Sequence, residues 1–410
     1  MIEWSEQHLM IRDMVRRFVE TEIVPKHRDL EHGDLPPYEV MRKLVNTFGL
    51  AEAAKMRYAA MKKKAQEGGA AATNGDSSHR GGDADAAAMQ MIPIIEISRY
   101  CPGMVTAMGV SMGLTSGAIM ARGTWEQKDR WALDLMTLDK IGAWAITEPG
   151  SGSDAFGSMR STARRDGDDY LLNGQKTFIT NGPYADTIVF ICKLDEPGVE
   201  PRERKVVSFV LDKGMEGLTQ TPPLRKMGMH SSPTGELFLD NVRCGRDRLL
   251  GGSEQAAGGR EGAKATFNME RSGVVAMAYG MVDRCLELCT EYARTRVQFG
   301  RPIGEFQLIQ LKLAKMQVAK MNIQNLLFRL MELSSQGKPM SFAEASACKL
   351  YSAQATMECC LEAVQLFGGN GYMAEFQVEQ LCRDAKVLQI YGGTDEIQIS
   401  QIARSMLAEA

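Results

Sequence analysis

No two of the nine cysteines stand at CxxC spacing, and their odd number, scattered from Cys101 to Cys382, supports neither a disulfide framework nor a zinc site. That usage suits a reducing compartment, and the expected location is cytoplasmic. Charge of one sign is lacking too: 48 Lys and Arg face 51 Asp and Glu, a net −3, so no nucleic acid or other polyanion is expected as a partner. The first ten residues carry acids and no apolar core, so no secretory signal is read there. Cys101 to Ala121 is free of charge and long enough to span a bilayer, but it is short of Leu and Ile and holds Gly103, Gly109, Gly113 and Gly117. No membrane span is expected. The run predicts a buried helix whose small residues admit another backbone or a ligand.

What is present is ordinary in bulk and informative in order. A chain of 410 residues, 44% apolar and 24% charged, can bury large cores in two or three domains. Residues 1–138 read as helical. Ser5 to Val24 is amphipathic and ends at Pro25, a second pattern runs from Tyr38 to Met61, and Met89 to Tyr100 and Trp125 to Thr137 follow. About residues 68–85 are rich in Gly, Ala, Asp and Ser without apolar period, which predicts a mobile surface loop. Residues 139–250 switch to short alternating runs, a β domain in which Asn173-Gly174 and Asn181-Gly182 are expected to make hairpin turns. Residues 251–410 return to helical period over Gln307 to Leu330, Phe342 to Phe367, Val378 to Ile390 and Asp395 to Leu407. The fold class is mostly α with a central β domain.

Several segments invite chemistry, and each has a plainer reading. Thr147-Glu148-Pro149-Gly150-Ser151-Gly152-Ser153 could bring amides and hydroxyls against a polar ring edge, or simply turn between strands. Arg296 could clasp phosphate oxygens, or be a surface cation. Glu270 precedes the run Ser272 to Tyr292 and is expected near that helix's N-terminus, where acids are favoured by the dipole alone.

Taken together, Ala145 to Asp154 with Phe178-Ile179-Thr180-Asn181-Gly182, Arg296 to Gly300, Gln365 to Tyr372 and Arg383-Asp384-Ala385-Lys386 resemble the acyl-CoA dehydrogenases in order and spacing. The resemblance covers nearly the whole chain except about residues 50–92, where the family's compact segment is replaced by a longer polar one. It implies a helical N-terminal domain, a β-barrel-like middle domain and a C-terminal four-helix bundle, with FAD as cofactor. By resemblance, Ile146, Thr147, Gly152, Ser153, Phe178, Ile179 and Thr180 border the flavin ring. Arg296, Gln298, Phe299, Gln307, Gln365, Leu366, Gly368, Gly369, Thr394 and Glu396 hold the rest of FAD, in part across a subunit boundary. That implies a homotetramer built as a dimer of dimers.

The same resemblance locates the base by an exchange. Much of the family carries its catalytic glutamate before the Gly-Thr of Tyr-Glu-Gly-Thr, and this chain reads Tyr391-Gly392-Gly393-Thr394. A minority branch, including isovaleryl-CoA and long-chain dehydrogenases, carries it where this chain has Glu270, directly before Arg271. Glu270 is therefore expected to take the α-proton of an acyl-CoA thioester while the β-hydrogen leaves as hydride, with the amide of Gly392 steadying the thioester oxygen. Ser153, Asn268, Arg271 and Gly393 are expected at the substrate. The expected activity is α,β-dehydrogenation to trans-2-enoyl-CoA in fatty-acid or branched-chain catabolism. Electrons are expected to pass to an electron-transferring flavoprotein, near whose meeting place the family has Arg383-Asp384. The alternatives are an acyl-CoA oxidase, and a non-catalytic or partner-dependent flavoprotein subunit.

Overall fold

The computed structural model describes residues 3–32, 35–67, 84–255, 259–338 and 340–408, the side chains of 84–86 and 260–270 excepted. The expectation of a loop over 68–85 therefore lies outside the described residues up to 83, and residues 84–85 open a helix. Helices come first: α1 (Glu6–Phe18), α2 (His27–His32), α3 (Tyr38–Thr47), α4 (Leu50–Gln66), α5 (Ala84–Ser98), α6 (Pro102–Met108), α7 (Ser116–Arg122), α8 (Trp125–Gln127) and α9 (Leu133–Met136). Pro25 does not end the first helix outright. The backbone widens into a π turn over Val19–Ile23, tightens over Val24–Lys26 and continues as α2. The long helix expected from Tyr38 is split at Gly49, whose φ of +64° suits a residue without Cβ.

The charge-free run is a helix of 21 residues, Pro102–Arg122, long and apolar enough to cross a membrane by composition. About half of it is buried against the rest of the molecule, with Met104, Ala107 and Ile119 fully enclosed. A π turn over Gly109–Thr115 joins α6 to α7, and Ser111 Oγ there accepts the amide of Gly142 at 2.9 Å. Gly103 backs directly onto Ser231, where a Cβ would sit 2.6 Å from the hydroxyl.

The middle of the chain forms one curled seven-stranded sheet from β1 (Gly142–Ala145), β2 (Thr162–Asp166), β3 (Asp169–Thr180), β4 (Thr187–Leu194), β5 (Val206–Asp212), β6 (Leu218–Gln220) and β7 (Thr234–Cys244), with α10 (Ala155–Ser158) between β1 and β2. β4 has three partners, running parallel to β1 and β2 and antiparallel to β5. Neither Asn-Gly pair makes a hairpin. Asn173-Gly174 sits within β3 as a register shift against β7, and Gly174 is required there because a Cβ would come 2.2 Å from Ser161 Oγ on the approach to β2. Asn181-Gly182 closes β3, with Asn181 at φ +63°. The two-residue hairpin lies at Gly167-Asp168, between the paired Asp166 and Asp169.

The C-terminal part holds α11 (Gly259–Thr295), the small hairpin β8 (Val297–Gln298) and β9 (Arg301–Pro302), then α12 (Gln307–Ser335), α13 (Phe342–Phe367), α14 (Gln377–Leu388) and α15 (Asp395–Ala408). Its core is continuous with that of the N-terminal helices, from Val15 and Ile95 through Val275 to Leu381. Gly280 makes this possible, since a Cβ there would press 2.2 Å from the Ile95 carbonyl. Asp384 is no solvated surface residue. It is fully buried on α14, where it accepts the amide of Met229 and the Gln380 side chain and so ties bundle to β domain. Its neighbour Arg383 binds Glu379 and the Met227 carbonyl.

Candidate functional site

A buried ion pair organises the end of β1. Lys176 on β3 is fully buried, and its Nζ donates to Glu148 at 2.8 Å and to the Ile146 carbonyl at 3.0 Å. The same carboxylate accepts the amides of Arg160 at 2.6 Å and Ser161 at 2.9 Å. Burial pushes the Glu148 carboxyl up, but the Lys176 ammonium and these donors outweigh it and hold the acid below its usual range. Burial wins on the lysine, which stays below its ordinary value despite Glu148. Ion pairs this deep persist only with every oxygen and proton satisfied. Sequence reasoning missed both residues.

Around this pair the small-residue run takes its shape. Ile146 is buried, the Thr147 carbonyl accepts Thr177 N at 2.9 Å, and Ser151 turns inward to donate to the carbonyls of Asp154 and Ala155. Gly152 and Ser153 are left exposed, and no described atom lies within 4 Å of where a Gly152 Cβ would be. A second irregularity in β3, between Lys176 and Ile179, turns Phe178 outward at φ +57° and 69% exposure while Ile179 stays buried. An exposed aromatic at a strained backbone, next to Thr177, whose amide meets Thr147, and two residues before Thr180, fits a flat apolar ring with a polar edge, as FAD would present.

A second locus gathers on α13. Arg271 is buried, lies 4.1 Å over the Phe342 ring and donates to Ser346 Oγ at 3.2 Å. One turn on, Lys349 is fully buried and donates to the Gly393 carbonyl at 2.8 Å, with Asp395 at 3.5 Å. Ser346 and Lys349 share a helix face. The stretch at Arg271 and the turn at Gly392-Gly393 thus meet the same few residues of α13. The side chains of Glu270 and Asn268 lie outside the described residues. Their helix begins at Gly259, so Glu270 lies three turns inside α11 and not in its first turn, contrary to expectation, and dipole capping does not account for an acid there. Thr394 Oγ1 accepts Ile397 N at 3.3 Å and opens α15, on whose surface Glu396 is exposed.

The remaining expected cofactor residues lie on the outer surface. Arg296, Gln298 and Phe299 belong to the β8–β9 hairpin, where Phe299 is 94% exposed at φ +51°. Gln307 is exposed at the start of α12. At the end of α13, Gln365, Gly368 and Gly369 are exposed while Leu366 is buried. Among the described residues none of these bonds to the β domain. No group of His, Cys, Asp and Glu among the described residues could hold a metal ion.

Comparison with known proteins covers the whole of this architecture. Family models described as acyl-CoA dehydrogenase N-terminal, middle and C-terminal domains match residues 5–139, 143–242 and 257–407. An acyl-CoA dehydrogenase of Bacillus subtilis is 35% identical over 98% of both chains. Among solved structures, butyryl-CoA dehydrogenase from Megasphaera elsdenii is similar at TM-score 0.83 and 28% identity, over 99% of both chains. A chain from a study of the electron transferring flavoprotein of Acidaminococcus fermentans is similar at the same TM-score, 0.83, with 28% identity and 99% coverage of both chains.

Proposed function

The chain belongs to the acyl-CoA dehydrogenase family of FAD-dependent oxidoreductases, and from that premise we propose that it converts acyl-CoA thioesters to trans-2-enoyl-CoA with Glu270 as base. When bound, FAD supplies the acceptor for the β-hydride. The chain's own part is to take the α-proton on the Glu270 carboxylate and to steady the charge growing on the thioester oxygen, for which the Gly392 amide is the candidate donor. The single observation carrying this reading is the convergence on α13: Arg271, next to Glu270, meets Ser346, and Gly393, next to Gly392, meets Lys349. On this reading, a carboxylate absent from position 392 is supplied instead by Glu270, whose neighbour Arg271 meets the same face of α13 as Gly393.

Similarity to the chain from the electron transferring flavoprotein study supports such a flavoprotein as electron acceptor. Exposed Leu308, Leu311, Val318 and Met321 lie on one stripe of α12, and with Phe299 they support burial against further copies, as a dimer of dimers that completes the outer FAD contacts. Nine free cysteines support a reducing, cytoplasmic setting. Anaerobic titration with a panel of acyl-CoAs, following loss of flavin absorbance, tests the activity. Bleaching by a member of the panel is expected. Its absence with every acyl-CoA would leave a non-catalytic flavoprotein, and peroxide release in air under turnover would move the assignment to an oxidase.

A further inference from the structure

The turn Tyr391-Gly392-Gly393-Thr394 is held from behind by two side chains. Gln398 Nε2 donates to the Gly392 carbonyl at 3.0 Å and to the Gly393 carbonyl at 2.9 Å, and Lys349 Nζ donates to the Gly393 carbonyl at 2.8 Å. Both side chains are fully buried. Backbone bonds close the two ends, Tyr391 N to Val387 O and Asp395 N to Gln389 O, each 3.0 Å. In a trans peptide the carbonyl and the following amide point in opposite directions, so drawing the carbonyls of Gly392 and Gly393 inward turns the amides of Gly393 and Thr394 the other way. Gly392 is then fixed between two anchored points at φ +61°. Among the described residues, none of the amides of Gly392, Gly393 and Thr394 donates a hydrogen bond. Gly393 fits only without a Cβ, which would come 2.7 Å from Gln398 Nε2.

Resting on the dehydrogenase reading above, we propose that Lys349 and Gln398 are positioning residues of the acyl-thioester site. They hold the turn so that its amides are already aimed when charge develops on the thioester oxygen. Neither touches the reacting atoms. Donors fixed beforehand cost no reorganisation during the reaction, and a small misplacement of such a group is worth on the order of 100-fold in rate.

The test uses the flavin-loaded full chain and three variants, Lys349→Met, Gln398→Met and Lys349→Arg. Anaerobic bleaching by a straight-chain acyl-CoA is expected to slow by on the order of 10- to 100-fold in the two methionine variants, with KM and flavin content little changed. Lys349→Arg, which keeps a charged donor, is expected to recover much of the rate. Independently of turnover, hydrogen exchange at the amides of Tyr391 and Asp395 is expected to quicken in both methionine variants. Unchanged exchange and bleaching overturn the proposal. So does a rate loss that merely follows melting temperature or flavin content in both variants, since that makes the pair structural. Where no acyl-CoA bleaches the parent protein, the dehydrogenase reading fails, and the exchange experiment still decides whether the two side chains hold the turn.

Discussion

The two groups of residues proposed to hold FAD, an inner half and an outer half, are built differently. The inner half, at the end of β1 and on β3, rests on a buried ion pair, with Gly152, Ser153 and Phe178 among the residues left exposed. The outer half, from Arg296 to Gln307 and at Gln365 to Gly369, bonds to no described residue of the β domain and carries an aromatic ring 94% exposed. Phe299, left so exposed, is proposed to be covered by another copy of the chain. On the proposed arrangement, one protomer shapes the place of chemistry while a further copy completes the hold on the cofactor.

The largest effect we expect separates chemistry from both halves. Glu270→Gln is expected to lower acyl-CoA bleaching by about 10²–10⁴-fold, the usual worth of a general base, while FAD stays bound. Unchanged bleaching would move the base elsewhere. Next is the inner half itself: Lys176→Met leaves Glu148 buried without its cation, and breaking such a pair costs about 3–5 kcal/mol. A calorimetric melting temperature well below that of the parent is the expected outcome, and an equal one means that the pair does not hold the inner half. Arg296→Ala acts on the outer half. FAD affinity is expected to fall by about 1.5–3 kcal/mol, the worth of a charge-assisted contact, with the apoprotein melting unchanged. Should FAD retention by the parent prove independent of protein concentration down to the monomer, the shared outer half is wrong.

A pH-dependent effect is expected where Asp384 ties the bundle to the β domain. Glu31 is buried beside Ser231, and neither carboxyl oxygen makes a well-formed hydrogen bond among the described residues. Burial, and then the Asp384 carboxylate, push it up to about 8 from an ordinary 4.5. The folded chain therefore keeps a proton that the unfolded chain releases, and this contribution to stability is fully present below pH 4.5 and lost as pH rises to about 8. Glu31→Gln removes that slope. The variant's melting temperature relative to the parent is expected to rise from pH 5 to 8 and then level off, and a pH-independent difference would remove Glu31 as the cause.

Local pattern made the succession of helix, strand and helix readable, because each element announces its period within a few residues. The inner half was readable as far as its small residues. Its foundation was not: Lys176 and Glu148 stand 28 residues apart, and nothing local in either segment pairs them. Gly174 shows the same limit. Asn-Gly reads as a turn, and only the nearness of Ser161, brought by strand pairing, makes it a bulge. Asp384 shows the limit again: its partner, the Met229 amide, comes from another part of the chain. The candidacy of Glu270 as the base was legible in sequence because two departures from the family pattern could be explained together, at Gly392 and at Glu270.

Asn181 carries a consequence for how the protein ages. Asparagine followed by glycine is the pair most given to losing its side-chain amide, when the next backbone nitrogen attacks the side-chain carbon. Here the Gly182 nitrogen is committed to the Ile179 carbonyl at 2.9 Å. The buried Asn181 side chain is pinned to Ala107 and Gly142 carbonyls and to the Tyr38 hydroxyl. Native protein is thus shielded from this decay, whereas chain that has opened even briefly can convert, and an aspartate formed there would face two carbonyl oxygens on trying to close again.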